Sequence, residues 1–338
     1  MKIMTCTLQF LTPAFLGNAE QNAQWRTPPI KAQLRQWWRM AYAADHHFKV
    51  DVAAMRHEEG LLFGHAWLDD DRDERGDKVA ARKSLVRIRL AMPTGQPGTA
   101  WGAGTQHGVA PLKVVQDTSY AWFGLVKRGQ GLPDRNAIDV QGAESKRALL
   151  LAFPEKHAEC IDTTLRLITQ FGQLGSRSRG GWGSIHIGDI PPMLQTEMVR
   201  FSQPLEGCLR HDWPMSLCSD ARGLCLWESK ESFASWADVM RVIAVERRKA
   251  RLALKTPDGR DLRPVLGFAS PGRMPSPLRW RCVLTAPDQL AIRVFAMPSL
   301  IPADGKQRID HARTASAWKQ VIAVMDESSV FKPRGGQK

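Results

Sequence analysis

Between residues 172 and 183 the chain reads Gly172-Gln173-Leu174-Gly175-Ser176-Arg177-Ser178-Arg179-Gly180-Gly181-Trp182-Gly183. Glycine this dense cannot sit inside a helix or strand, where each one costs about 1 kcal/mol against alanine. The run forces a loop, and its flanks fix which kind. Residues 155–171 carry helical periodicity and 184–190 read as a short strand. A Walker A loop runs the other way, from strand to helix, and ends in Gly-Lys-Ser/Thr. Nucleotide hydrolysis is therefore not indicated. Glycines let backbone N–H groups approach phosphates, and Arg177, Arg179 and Trp182 stand among them with no carboxylate. A flexible turn is the plainer alternative.

The rest of the first half frames this loop. Residues 3–11 alternate as a strand, closed by Thr12-Pro13. Thr27 as a cap and Pro28-Pro29 suit the start of a helix over 30–44, with Ile30, Leu34, Ala41 and one of Trp37 and Trp38 on its apolar face. A helical piece at 51–59 ends at Gly60. A strand covers 85–91, where Val86, Ile88 and Leu90 alternate with Arg87 and Arg89. A Gly- and Pro-rich loop spans 92–108, an apolar stretch 112–126, and a second Gly-rich, basic loop extends to about 143; loops this long are usually functional or mobile. A strand at 146–153 follows. The order strand, helix, strand, strand, helix, strand is ferredoxin-like.

Ile190-Pro191-Pro192 marks a boundary. Beyond it a helix at 232–254, strands at 278–285 and 289–296, and a helix at 306–325 suit a second, degenerate unit. The expected fold class is thus α+β. Two ferredoxin-like (RRM-like) domains cover residues 1–190 and 191–331, and a frayed basic tail covers 332–338.

Charge narrows the partners. Lys and Arg number 47 against 34 Asp and Glu, a formal +13, and such a surface attracts polyanions. A membrane partner would want a basic amphipathic anchor or a lipidation signal, and neither is found. MKIMTCTLQF has Thr5, Thr7 and Gln9 at alternate positions, a strand pattern and not a signal-peptide core. The six cysteines are scattered without CxxC, which suits reduced thiols in a cytoplasm. With two tyrosines against twelve tryptophans, Trp is the expected platform if bases stack.

Three basic constellations are candidates. Lys31, Arg35 and Arg39 stand at i, i+4 and i+8 on one helix, Arg26 lies just ahead, and residues 21–40 hold no acid. Spacing alone leaves a phosphate row and a solvated basic face equally open. The Gly-rich loop is the second. The third is 241–281, whose eleven Lys and Arg less three acids leave +8; it reads equally as a solvated face or an RNA groove.

Searches for chemistry come up empty. The run Asp69-Asp70-Asp71-Arg72-Asp73-Glu74 has Glu74 where an EF-hand loop needs Gly and Ala80 where it needs Glu, so it reads as a solvated loop. Nine histidines are dispersed, and HExxH and GxSxG are missing. No metal, cofactor or catalytic residue is expected. His107, in the first long loop, is the most exposed candidate for a histidine ribonuclease, but a lone loop histidine is more often incidental.

Two segments carry a resemblance. Leu11-Thr12-Pro13-Ala14-Phe15-Leu16-Gly17 and Arg26-Thr27-Pro28-Pro29-Ile30-Lys31-Ala32-Gln33-Leu34-Arg35-Gln36-Trp37-Trp38-Arg39 resemble the opening of the first subunit of the Cmr (type III-B) CRISPR complex, of the RAMP superfamily. Glu59 to Gly64 is similar to its E..LFG element, and Gly172 to Gly183 to the loop by which RAMP proteins are defined. Pro275 to Leu278 and Met297 to Leu300 are similar to weaker C-terminal elements. The chain departs from the pattern at Asn18 and Gln33, where glycines are usual, and at Arg179-Gly180-Gly181, where Arg-Arg-Gly is common. The resemblance implies two RAMP domains in a cytoplasmic effector complex and a subunit that holds guide RNA (crRNA) and target RNA near the guide 3′ end, among other effector subunits, without cutting. The site residues it implies are Lys31, Arg35, Trp38, Arg39, Arg177, Arg179 and the loop glycines Gly175, Gly180 and Gly181; Arg26, from the basic row, and Trp182, from the loop, complete the expected RNA-binding set. The rival class is a RAMP-family endoribonuclease that processes guides or cuts target.

Overall fold

The computed structural model describes residues 1–19, 23–66, 68, 70–91, 119–123, 125, 137–140, 145–255, 261–268, 273–301 and 309–334. The first half contains β1 (Lys2–Phe10), α1 (Thr27–Asp45), α2 (Val52–Phe63), β2 (Arg87–Leu90), α3 (Ser119–Trp122), β3 (Lys146–Phe153), α4 (Ala158–Phe171) and β4 (Ile185–Ile187). Its four strands form one antiparallel sheet in the order β2-β3-β1-β4. The alternation of β1 sends Cys6, Leu8 and Phe10 inward and leaves Thr5 and Thr7 exposed. α1 and α4 cover the inward face through Leu34, Trp37, Leu165 and Ile168.

Two local expectations are corrected. Thr27 is the first helical residue of α1, not its cap; Arg26 flanks it in extended backbone with no side-chain cap. Gly60 does not end α2, which runs on to Phe63. A β-carbon at Gly60 would lie 2.5 Å from Leu68 Cδ1, so this glycine serves close packing inside a helix.

The second half contains α5 (Gln195–Met198), β5 (Ser202–Pro204), α6 (Leu205–Cys208), β6 (Leu217–Asp220), β7 (Gly223–Leu224), β8 (Leu226–Glu228), α7 (Trp236–Leu252), β9 (Leu278–Ala286), β10 (Gln289–Ala296) and α8 (His311–Asp326). β8, β10 and β9 form an antiparallel sheet in that order, and β5, β6 and β7 a small mixed one. Strands β5 to β8, two to four residues long, are too short to show a period in the sequence. The chain is thus α+β with largely antiparallel sheets.

The tail is not frayed at its start. Lys332 N–H donates to the Glu228 carbonyl at 2.8 Å. The Arg334 guanidinium reaches Asp326 at 2.6 Å and Asp220 at 2.7 Å and lies 5.2 Å over the Trp227 ring. Residues 335–338 lie outside the described residues.

β9 holds the halves together because both its faces are buried. Leu278, Trp280 and Cys282 join the second core with Val239 and Trp318. Arg279 and Arg281 point the other way, and Arg281 donates to the Ile185 carbonyl at 2.6 Å. Phe295 of β10 packs on Phe171 and Trp37 of the first half.

Candidate nucleic-acid interface

The helical stripe is not an open row of cations. Glu59, fully buried on α2, takes Arg35 Nε at 2.7 Å and Arg39 Nη2 at 2.8 Å on its carboxylate. Three cations (Lys31, Arg35, Arg39) less one carboxylate leave +2 on this face. Arg35 spends only Nε on the pair. Lys31 is half-buried, and its amine is pushed below the usual lysine range by burial and by the Arg35 charge. Arg26 is exposed ahead of the helix. Both tryptophans belong to the core. Trp37 stacks on Phe171 with centroids 5.5 Å apart, and Trp38 meets Phe63 edge-on at 6.1 Å. Trp38 is 6% exposed, too little to offer a ring face to a base.

The Gly-rich loop is a tie. Ser176 N–H donates to Phe15 O at 3.0 Å, and Gly183 N–H to Pro13 O at 2.9 Å. The amides of Gly180 and Gly181 donate to Arg177 O and Ser178 O. These glycine amides are spent inside the protein, so the loop does not present them to phosphate. Glycine is required for approach instead. Gly183 has φ +60°, and a β-carbon there would fall 1.8 Å from Leu174 O; at Gly175, φ +93°, it would fall 2.7 Å from Phe15 O. Thr12 Oγ1 and Ser184 Oγ both donate to Gly181 O, closing the tie. Trp182 is fully buried, with its indole N–H on Ala121 O at 2.9 Å and its ring among Phe15, Trp122 and Trp236. It is a hub of the core and not a stacking platform.

The loop's side chains reach outward differently. Arg177 is exposed, in left-handed backbone, and lies 5.9 Å over the exposed Phe123 ring. Arg179 is half-buried and donates to Ser276 O at 3.2 Å. Burial and the nearby Arg273 charge lower its guanidinium to about 10. Helix, loop and β9 meet at two glutamines. Gln33 Oε1 accepts from Trp37 Nε1 at 3.0 Å and from Gln173 N–H at 3.3 Å, and Gln173 Nε2 donates to Trp280 O at 2.7 Å. A glycine at 33 would break this lacing.

Sequence reasoning missed the roles of Arg279 and Arg281. They are 4% and 1% exposed. The Arg-Trp-Arg alternation of 279–281 signals a strand with one basic face, but not that another half of the chain covers it. Arg281 is satisfied by three backbone carbonyls. Arg279 lies 5.8 Å over Trp37, and burial and the Arg179 charge depress its guanidinium well below the usual range. Elsewhere in 241–281 the charges are partly tied: Arg241 to Asp238, Lys249 to Glu246, Arg251 to the carbonyls of Arg263 and Gly267.

The acidic run is not wholly solvated. Asp71 is buried between His65 Nε2 at 2.6 Å and Arg82 Nε at 2.7 Å. Hydrogen bonds from Arg82 chiefly, and from His65, hold its carboxyl down to about 2. Among the described residues no group of His, Cys, Asp and Glu is placed to hold a metal ion, and no helix is long and apolar enough to cross a membrane. The loop 92–108 with His107, and most of 127–143, lie outside the described residues.

The model of the RAMP superfamily matches residues 7–186, the segment that holds most of the first sheet, α1 and the Gly-rich loop. The chain belongs to the RAMP superfamily. Its fold is similar to that of apo Cmr1 from Pyrococcus furiosus, at 18% identity and TM-score 0.53 over 96% of both chains. It is also similar to a chain of the type III-B Cmr-beta complex bound to cognate target RNA, at 9% identity and TM-score 0.51 over 96% of this chain and 99% of that one. No curated protein sequence matches.

Proposed function

We propose that this chain is a non-catalytic RNA-binding subunit of a type III-like CRISPR effector complex, holding guide RNA and its target near the guide 3′ end, in the cytoplasm. The observation that carries the reading is the basic seam where α1, the Gly-rich loop and β9 meet. Arg179, Arg273 and Arg279 have no carboxylate partner there among the described residues, in a chain of formal charge +13. Membership of the RAMP superfamily and the fold shared with a chain of an RNA-bound Cmr complex supply the system. Phosphate contact by Arg26, Lys31, Arg35, Arg177 and Arg179 explains affinity, and base pairing between guide and target explains specificity. Trp38, Trp182, Gly175, Gly180 and Gly181 support the surface from below. The second half fits a ferredoxin-like unit whose last strand is reduced to the antiparallel bridge between Phe331 and Ser229, beside β8 where such a strand belongs.

Cutting RNA needs a base for the 2′-hydroxyl, a metal-held water or an acid for the leaving oxygen. The seam as described offers guanidinium groups and amides. The test is to incubate the purified chain with end-labelled repeat RNA and with guide–target duplex. Retention without new fragments is expected. Fragments that vanish in a His107→Ala variant of normal RNA affinity would make the chain an endoribonuclease.

A further inference from the structure

Several buried or half-buried arginines among the described residues have oxygen partners. Arg35 and Arg39 have Glu59, Arg334 has Asp220 and Asp326, and Arg281 has three carbonyls. Arg279 breaks the pattern. It is 4% exposed, its Nε has no hydrogen-bond partner, and the contact of its guanidinium is the face of Trp37. A guanidinium stays charged in proteins, and a buried charge without a partner is costly.

Arg179 makes the position less favourable still. Gly180 and Trp280 form a parallel bridge, with Trp280 N–H on Arg179 O at 3.1 Å. Arg179 and Arg279 each stand one residue before that bridge, which makes them neighbours, and the Arg179 charge bears on the Arg279 guanidinium. Arg273, exposed, adds a third like charge near Arg179. The three grade in exposure: Arg279 is buried, Arg179 half-buried and Arg273 exposed. Their carbonyl contact is Arg179 to Ser276.

We propose that Arg279, Arg179 and Arg273 form a site for a phosphate oxyanion, filled by one backbone phosphate of the bound RNA. Several oxygens of one tetrahedral anion can accept from two or three guanidinium forks at once, which a single carboxylate does less well. Trp37 beneath Arg279 holds the fork in place before the anion arrives. The RNA source of the phosphate rests on the reading in Proposed function; the oxyanion site itself does not.

The test compares wild type with Arg279→Met, Arg279→Lys and Arg179→Met. Thermal melting is recorded in chloride buffer and with added inorganic phosphate, and single-stranded RNA binding is followed by fluorescence anisotropy across a salt series. Without phosphate, Arg279→Met is expected to melt at or above wild type, because it removes an unpaired buried charge. Phosphate should raise the wild-type midpoint and leave Arg279→Met unmoved. RNA affinity of that variant should fall severalfold, with the log–log salt slope reduced by about 0.7. If Arg279→Met does not fold, Arg279→Lys, which keeps the charge and loses the fork, must show the same losses in weaker form. A phosphate response unchanged in every variant overturns the site. A lost phosphate response with an unaltered RNA slope marks an adventitious ion only and overturns the RNA assignment. If wild type binds no RNA yet keeps an Arg279-dependent phosphate response, the RNA reading fails and the oxyanion site stands.

Discussion

Replacing Glu59 by glutamine tests how the helical stripe is built. The carboxylate accepts from Arg35 Nε at 2.7 Å, Arg39 Nε at 3.0 Å and Arg39 Nη2 at 2.8 Å, and it is fully buried. A hydrogen bond to a charged group contributes about 1.5–3 kcal/mol, and removing one partner of a buried pair costs about 3–5 kcal/mol. The arginine side chains are 26% and 39% exposed, so water recovers part of this, and the amide keeps one acceptor oxygen. The net loss should be about 2–3 kcal/mol, which in a chain of 338 residues lowers the melting midpoint by roughly 3–4 °C. Differential scanning calorimetry of Glu59→Gln against wild type measures it. RNA affinity at matched temperature should not fall, because the change frees two guanidinium groups. A midpoint within about 1 °C of wild type would refute the claim that Glu59 organises the stripe, and a severalfold loss of RNA affinity would refute the claim that it competes with phosphate.

Gly183→Ala should cost more than 3 kcal/mol, roughly the scale of a large core disruption, because its β-carbon would overlap Leu174 O in left-handed backbone; chemical denaturation reads this, and near-wild-type stability would contradict the tie geometry. Asp71, held at about 2 against an ordinary 3.8, contributes stability that is present above pH ~4 and is lost as pH falls toward ~2. In Asp71→Asn that acid limb of the stability curve should flatten, and an unaltered limb would show that Arg82 does not stabilise the carboxylate.

Much of the frame was legible because its signals are local. The period of β1, the Pro-led start of α1, and strands β3, β9 and β10 all follow from patterns within ten to twenty residues. The seam was not legible, because it depends on which surfaces meet. Lys31, Arg35 and Arg39 were visible as a stripe, but Glu59 lies 20 residues beyond Arg39 on another helix and its neutralising role is tertiary. Trp38 and Trp182 stood among the expected RNA-binding residues in a chain where Trp is the expected stacking platform, and both are buried in the core. The glycines of 172–183 marked an unusual loop; only the folded backbone shows that the amides of Gly180, Gly181 and Gly183 are spent on the loop itself and on Pro13. Arg279 was one of eleven cations in a basic stretch, and its isolation appears only when both faces of β9 are covered.

The central claim is that this chain holds RNA through phosphate contacts. The most direct measurement is the affinity of the purified chain for single-stranded RNAs of unrelated sequence, taken from low to physiological salt. Affinity is expected to differ little among sequences and to fall linearly on log–log axes with a slope of about −2 or steeper, equivalent to three or more phosphates. Arg177→Ala combined with Arg179→Ala should make that slope shallower by about 1.4. No affinity at low salt, or a slope near zero, would contradict the account.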